Sequence, residues 1–238
     1  MLNKFIFPQD KKIFNEVWVL AFPVIVSNLS RVLMSLVDVA MVGRLGPEAL
    51  AAAGMGGMLV WGALSIMLGV RTSVQTVSSR RLGQNKTKDC VKALNNGFLM
   101  ATIYSIPVSL VCWFFGFVII PFFVVDEITT PLAISYFSIS SLGLFFNSIS
   151  FVFQGFFTGI EKTKVLLSVT ISSNIINIYF NIGLIYGKNS ISKISSEYFG
   201  EVFDISVFWF WAKFDGFGVT GAAIGTLIAS AWMMFHYY

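Results

Sequence analysis

Apolar positions run along this chain in six stretches, at 15–42, 50–75, 93–118, 132–157, 165–186 and 216–235. Each is about twenty residues or longer, the length a helix needs to cross a hydrocarbon core. Outer-membrane barrel strands would read as segments of about ten residues with strict alternation, and these runs are continuous. The pattern predicts an all-α membrane protein whose six transmembrane helices form one bundle. Residues 1–14 read as a cytoplasmic tail and 15–238 as the bundle, with a long outer connection at 187–215.

Polar exceptions within the stretches carry the functional signal. An ionisable side chain in hydrocarbon is costly and calls for a compensating role, which makes Asp38, near the end of the first stretch, the leading candidate. At about 1.5 Å per residue, Asp38 lies roughly 8 Å below the outer end of its helix. Asn181 and Asn177 lie roughly 9 and 15 Å below the end of the fifth, and Thr226 roughly 15 Å into the sixth. These four form a candidate cation-coupling set in the outer half of the bilayer. Asn177 and Asn181 share a helix face, which also suits plain interhelical hydrogen bonding. Arg31, seven residues before Asp38 and on nearly the same face, either faces a cavity or binds Asp38. Arg71 and Gln75 lie close enough to the inner surface to snorkel.

Composition agrees with the pattern: 56% of residues are hydrophobic, 12% are charged, and the mean hydropathy is +0.78. Soluble domains carry about 25% charged residues, so lipid must solvate most of this chain. There is no basic face for nucleic acid. The first apolar run is too long for a signal-peptide core, so it is expected to persist in the mature protein. Inner segments hold Lys4, Lys11, Lys12, Arg80, Arg81, Lys86, Lys88, Lys92, Lys162 and Lys164, against Arg44, Lys188, Lys193 and Lys213 outside. That bias predicts both termini in the cytoplasm. Cys90 and Cys112 would lie roughly 33 Å apart along one helix, too far for a disulfide. One histidine and no CxxC pair argue against a metal centre, and no hydrolase triad, HExxH or phosphate-binding loop marks an enzyme.

Several strings, in order, carry a resemblance. They are Leu20-Ala21-Phe22-Pro23, the run Asp38-Val39-Ala40-Met41-Val42-Gly43-Arg44-Leu45-Gly46, and Ala49-Leu50-Ala51-Ala52. Arg81-Leu82-Gly83-Gln84-Asn85, the stretch from Phe153-Gln154-Gly155 to Lys162-Thr163-Lys164, Asn177 with Asn181, and Gly218-Val219-Thr220-Gly221-Ala222-Ala223 follow. Together they resemble the MATE (multidrug and toxic compound extrusion) transporters. The resemblance implies twelve helices in two six-helix bundles, of which this chain matches the N-terminal one. It implies a multi-pass protein of the plasma (bacterial inner) membrane, a partner lobe of six further helices, and no cofactor beyond a coupling ion, Na⁺ or H⁺. The chain is then one half of a split transporter or a truncated product. Two departures are visible: the connection at 187–215 is long, and Asn181 stands where some members carry an acid.

The expected activity is multidrug efflux of small cationic or amphipathic molecules by antiport, with Arg31, Met34 and Gln154 as cavity-lining candidates. A desolvated Asp38 could carry a proton, or with amide and hydroxyl oxygens could offer Na⁺ a site. One charge moving down 100 mV releases about 2.3 kcal/mol, enough for a gradient of about fifty-fold. Met34, Met41, Met55, Met58 and Met67 suit an adaptable cavity or plain packing. The Gly216–Thr226 stretch predicts close helix contact through small residues. Phe208-Trp209-Phe210-Trp211 reads as an interfacial aromatic belt or as a lid. Rival readings are a non-transporting remnant and a lipid-linked oligosaccharide flippase, which calls for a more cationic cavity.

Overall fold

The structure, a computed structural model, describes residues 11–199 and 204–238. Lys4 and most of the expected tail, and Glu201 in the outer connection, lie outside the described residues. Six long helices follow one another: α1 (Lys11–Gly43), α2 (Pro47–Gly83), α3 (Thr87–Ile119), α4 (Thr129–Gly159), α5 (Thr163–Phe199) and α6 (Gly218–Tyr237). Short 3-10 turns occupy Ile120–Phe122 and Ile205–Trp209. All six helices are long and apolar enough to cross a membrane.

Helices outrun the apolar stretches because hydropathy sets where a bilayer lies, whereas capping sets where a helix ends. Residues 11–14, expected in the tail, already belong to α1. Helix α2 opens with Pro47 and Glu48 in its first turn, both suited to a helix start. It continues eight residues past Gln75, through Arg80 and Arg81, to Gly83. There Asn85 turns left-handed (φ 57°). The α4–α5 turn repeats the device at Glu161 (φ 64°). In both turns a backbone N–H reaches five residues back, Lys86 to Arg81 and Lys162 to Phe157, each at 2.9 Å. That satisfies terminal carbonyls as a Schellman closure does.

Around the bundle α1 packs on α5, α5 on α6, α6 on α4 and α4 on α2, while α3 lies outside against α2 and α4. Consecutive helices α1 and α2 barely touch, as do α4 and α5. The ring is therefore loosest between α1 and α2. Helix α4 is central and the most buried, and its Leu144, Ile149, Phe151 and Val152 anchor the main apolar core with Leu64, Met67 and Val74 of α2. A second core near the outer ends joins Val42, Ala52, Phe137, Ile185 and Val219. Large apolar side chains such as Leu36 and Phe117 point outward, as expected of a lipid-facing surface.

The long connection expected at 187–215 is partly helical. Helix α5 breaks at Gly187 (φ 69°, ψ 164°) and resumes to Phe199. Any Cβ at Gly187 would collide with the Phe214 carbonyl, so this left-handed position demands glycine. The break lets the returning chain bond back onto α5, with Lys188 N–H donating to Ala212 O and Phe217 N–H to Leu184 O, both at 2.8 Å. The aromatic string divides between two environments. Phe208 and Phe210 are exposed, as a belt requires, but Trp209 is buried and donates through Nε1 to the Tyr179 carbonyl at 2.7 Å. Trp211 donates to the Tyr179 hydroxyl at 2.8 Å. The tryptophans fasten the connection to α5.

Candidate functional site

A cavity of about 340 Å³ lies inside the ring, lined by α1, α2, α4, α5 and α6 but not α3. From α1 it receives Arg31, Met34, Ser35 and Asp38; from α5, Thr170, Ser173, Asn174 and Asn177; from α6, Thr226, Ser230 and Met233. Trp61, Tyr136 and Phe151 give it aromatic walls. Of the five methionines considered from sequence, Met34 alone lines it: Met67 is in the apolar core and Met58 is 73% exposed.

The structure brings all four predicted coupling residues together. The Asn181 amide donates through Nδ2 to Asp38 Oδ1 at 2.8 Å and to Asn177 Oδ1 at 3.0 Å. Asn177 in turn faces Thr226 Oγ1 at 3.5 Å, the long limit of a hydrogen bond. Asn181 itself is 1% exposed and stands behind the cavity wall rather than in it. Gly225 makes this possible, since a Cβ there would collide with the Asn181 side-chain oxygen. The small-residue stretch at the start of α6 thus brings α6 onto the asparagines of α5.

Arg31 does not bind Asp38. Two helical turns separate them by about 10 Å along the axis, and Arg31 Nη2 donates instead to Gln154 Oε1 at 3.3 Å. Arg31 and Gln154 both line the cavity, as expected. Arg71, expected to reach for the inner surface, lies within electrostatic reach of Arg31 and of the Tyr237 hydroxyl.

Three polar residues escaped the sequence reading. Asn147 donates to Ser230 Oγ at 3.0 Å, and Ser230 donates to the Thr226 carbonyl at 2.8 Å, extending the network across α4 and α6. Asn174 donates to Ser30 Oγ at 2.8 Å and ties α5 to α1. The signal was present: Asn174 precedes Asn177 by three residues on the same helix face, and Asn147 is an amide inside an apolar span.

A bundle of six helices long and apolar enough to cross a membrane defines the class as a multi-pass membrane protein, here with Asp38 in a polar, aromatic-walled cavity. The MatE family model matches residues 23–182, and the chain belongs to that family, the MATE transporters. A probable multidrug resistance protein NorM of Photorhabdus laumondii is 28% identical over 88% of this chain and 42% of its own length. A probable NorM of Pseudomonas putida is 27% identical over 74% of this chain and 38% of its own length. Among solved structures, a MATE protein in its straight conformation superposes with a TM-score of 0.77 at 14% identity, covering 96% of this chain and 46% of that one. The chain therefore spans about two fifths of the length of the curated relatives it matches.

Proposed function

We propose that this chain forms one six-helix lobe of an efflux antiporter, with Asp38 as the group that couples export to inward movement of Na⁺ or H⁺. The observation that supports it most is Asp38 itself. Among the described residues it is the one carboxylate lining the cavity, held at 2.8 Å by an amide that also donates to Asn177. A carboxylate so fixed can alternate between taking a cation from one side and giving it to the other. Asn177 and Thr226 add oxygens beside it for a hard cation. The transported solutes are small cationic or amphipathic drug-like molecules, in keeping with relatives named as probable multidrug resistance proteins. The cavity offers such solutes a negative group and the aromatic faces of Trp61, Tyr136 and Phe151, which attract cations.

Alternating access works by two lobes moving about a shared site. The second lobe would face the loosely packed gap between α1 and α2. The loop charges favour both termini of this segment in the cytoplasm, in a bacterial inner membrane. The test is uptake of a fluorescent cation, the equivalent of cellular efflux, into inside-out vesicles carrying the full-length protein, under a Na⁺ or H⁺ gradient directed out of the lumen. Asp38→Asn should leave the protein in the membrane and bring gradient-driven efflux to background. Undiminished efflux would overturn the coupling role, and dependence on one gradient alone would identify the ion.

A further inference from the structure

The exporter reading accounts for the acid of the cavity but not for its arginine. Arg31 sits two turns inward of Asp38 on the same helix face, and among the described residues no carboxylate lies within ion-pairing distance of it. Its partner is the neutral Oε1 of Gln154 at 3.3 Å. Gln154 is 1% exposed, yet its Nε2 donates to no protein group. Thr170 is 4% exposed and its Oγ1 is likewise without a partner. All three side chains line the same cavity.

Helix register places them at one level. Ser30 meets Asn174 and Asp38 meets Asn181, so α1 and α5 run side by side at a nearly constant offset. Thr170 therefore lies about one turn inward of Ser30, and the Arg31 side chain, leaning toward its helix N-terminus, reaches toward that level. Arg71 adds a second positive charge within electrostatic reach behind it. A guanidinium with N–H groups to spare and an unpartnered primary amide N–H lie beside a hydroxyl that is free to donate, which makes the pocket rich in donors. A planar carboxylate, with two oxygens to share between a guanidinium fork and an amide, answers that arrangement.

We infer that the inner end of the cavity is an oxyanion subsite, in which Arg31 and Gln154 receive the carboxylate of a zwitterionic solute while Asp38 holds its cationic group about 10 Å further out. Between the two ends, Phe151 and Trp61, with ring centroids 6.4 Å apart, offer an apolar bed for the body of such a molecule. This rests on the exporter reading for Asp38 and extends it to the chemistry of the substrate. A solute carrying only a positive charge would leave the inner donors unanswered. An ester of the same solute would lose the same contact.

Rhodamine 110 and its methyl ester rhodamine 123 differ in this one respect, a free carboxylate against an esterified one. Their affinities can be measured by fluorescence anisotropy with the full-length protein in lipid nanodiscs. The wild type is expected to favour rhodamine 110 over rhodamine 123, and Arg31→Gln to lower that affinity ratio by tenfold or more. Arg31→Lys, which keeps the charge but not the fork, should retain part of the ratio, and Gln154→Leu should lower it about threefold. A ratio unchanged in Arg31→Gln, or a wild type that binds rhodamine 123 and does not discriminate, would overturn the subsite and leave the exporter reading standing. Failure to bind either dye would overturn both. Correct folding of each variant is checked by its thermal unfolding midpoint in the same nanodiscs.

Discussion

The two ends of the cavity are each built from a few polar side chains and yet are opposite in character. At the outer end every predicted residue has a partner: Asp38 with Asn181, Asn181 with Asn177, Asn177 with Thr226. At the inner end one long bond joins Arg31 to Gln154, and the Gln154 amide nitrogen and the Thr170 hydroxyl face no protein partner. The outer end is a connected network whose members hold one another in place, although the Asn181 side-chain oxygen faces no protein donor. The inner end is an open set of donors. A buried polar group that lacks a partner costs about 1–3 kcal/mol, so the outer end contributes to the fold while the inner end is tolerated by it.

Substitutions that treat the two ends alike test this contrast. The largest effect is expected at Asp38, where Asn removes the charge but keeps the shape and should reduce gradient-driven efflux to background. Asn181→Leu comes next. It strips the donor from two acceptors at once, Asp38 Oδ1 and Asn177 Oδ1, and should destabilise the protein by about 1–3 kcal/mol, read as a lower unfolding midpoint in detergent. Gly225→Ala forces a methyl group against the Asn181 oxygen; overpacking of that kind costs about 1–3 kcal/mol, and efflux should fall with stability. The smallest change belongs to Gln154→Leu. It removes the long bond from Arg31 together with an amide nitrogen that has no partner; loss and relief oppose each other, so stability should change by less than about 1 kcal/mol. Equal losses in Asn181→Leu and Gln154→Leu would erase the distinction between the two ends.

Much of this was legible in the sequence, and the boundary of legibility has physical causes. The six spans follow from apolar runs long enough to cross a bilayer, so their number and order needed no tertiary information. Asp38, Asn177, Asn181 and Thr226 could be placed at a common depth by counting residues along helices. Their pairing through Asn181 depends on how closely α6 approaches, which Gly225 decides. The partner of Arg31 was out of reach, because shared face and spacing suggested Asp38, whereas Gln154 lies 123 residues away. Helix ends were displaced for a different reason. Arg80 and Arg81 read as loop charges, but the α2 helix runs through them until Asn85 turns the chain. The connection after Gly187 looked like a loop because its polar residues hide a helix that leaves the apolar zone before it ends.

The fastening of α1 carries a mechanical consequence. Three side chains of α5 pin it: Asn174 to Ser30, Asn181 to Asp38, and the Tyr186 hydroxyl to the Met41 carbonyl at 2.7 Å. They are spaced from Ser30 to Met41, over roughly the last third of α1, while the neighbour that follows it in the chain hardly touches it. Helices α1 and α5 are therefore coupled over this stretch, and any displacement of α1 that keeps these bonds carries the Asp38 carboxylate and its Asn181 partner together.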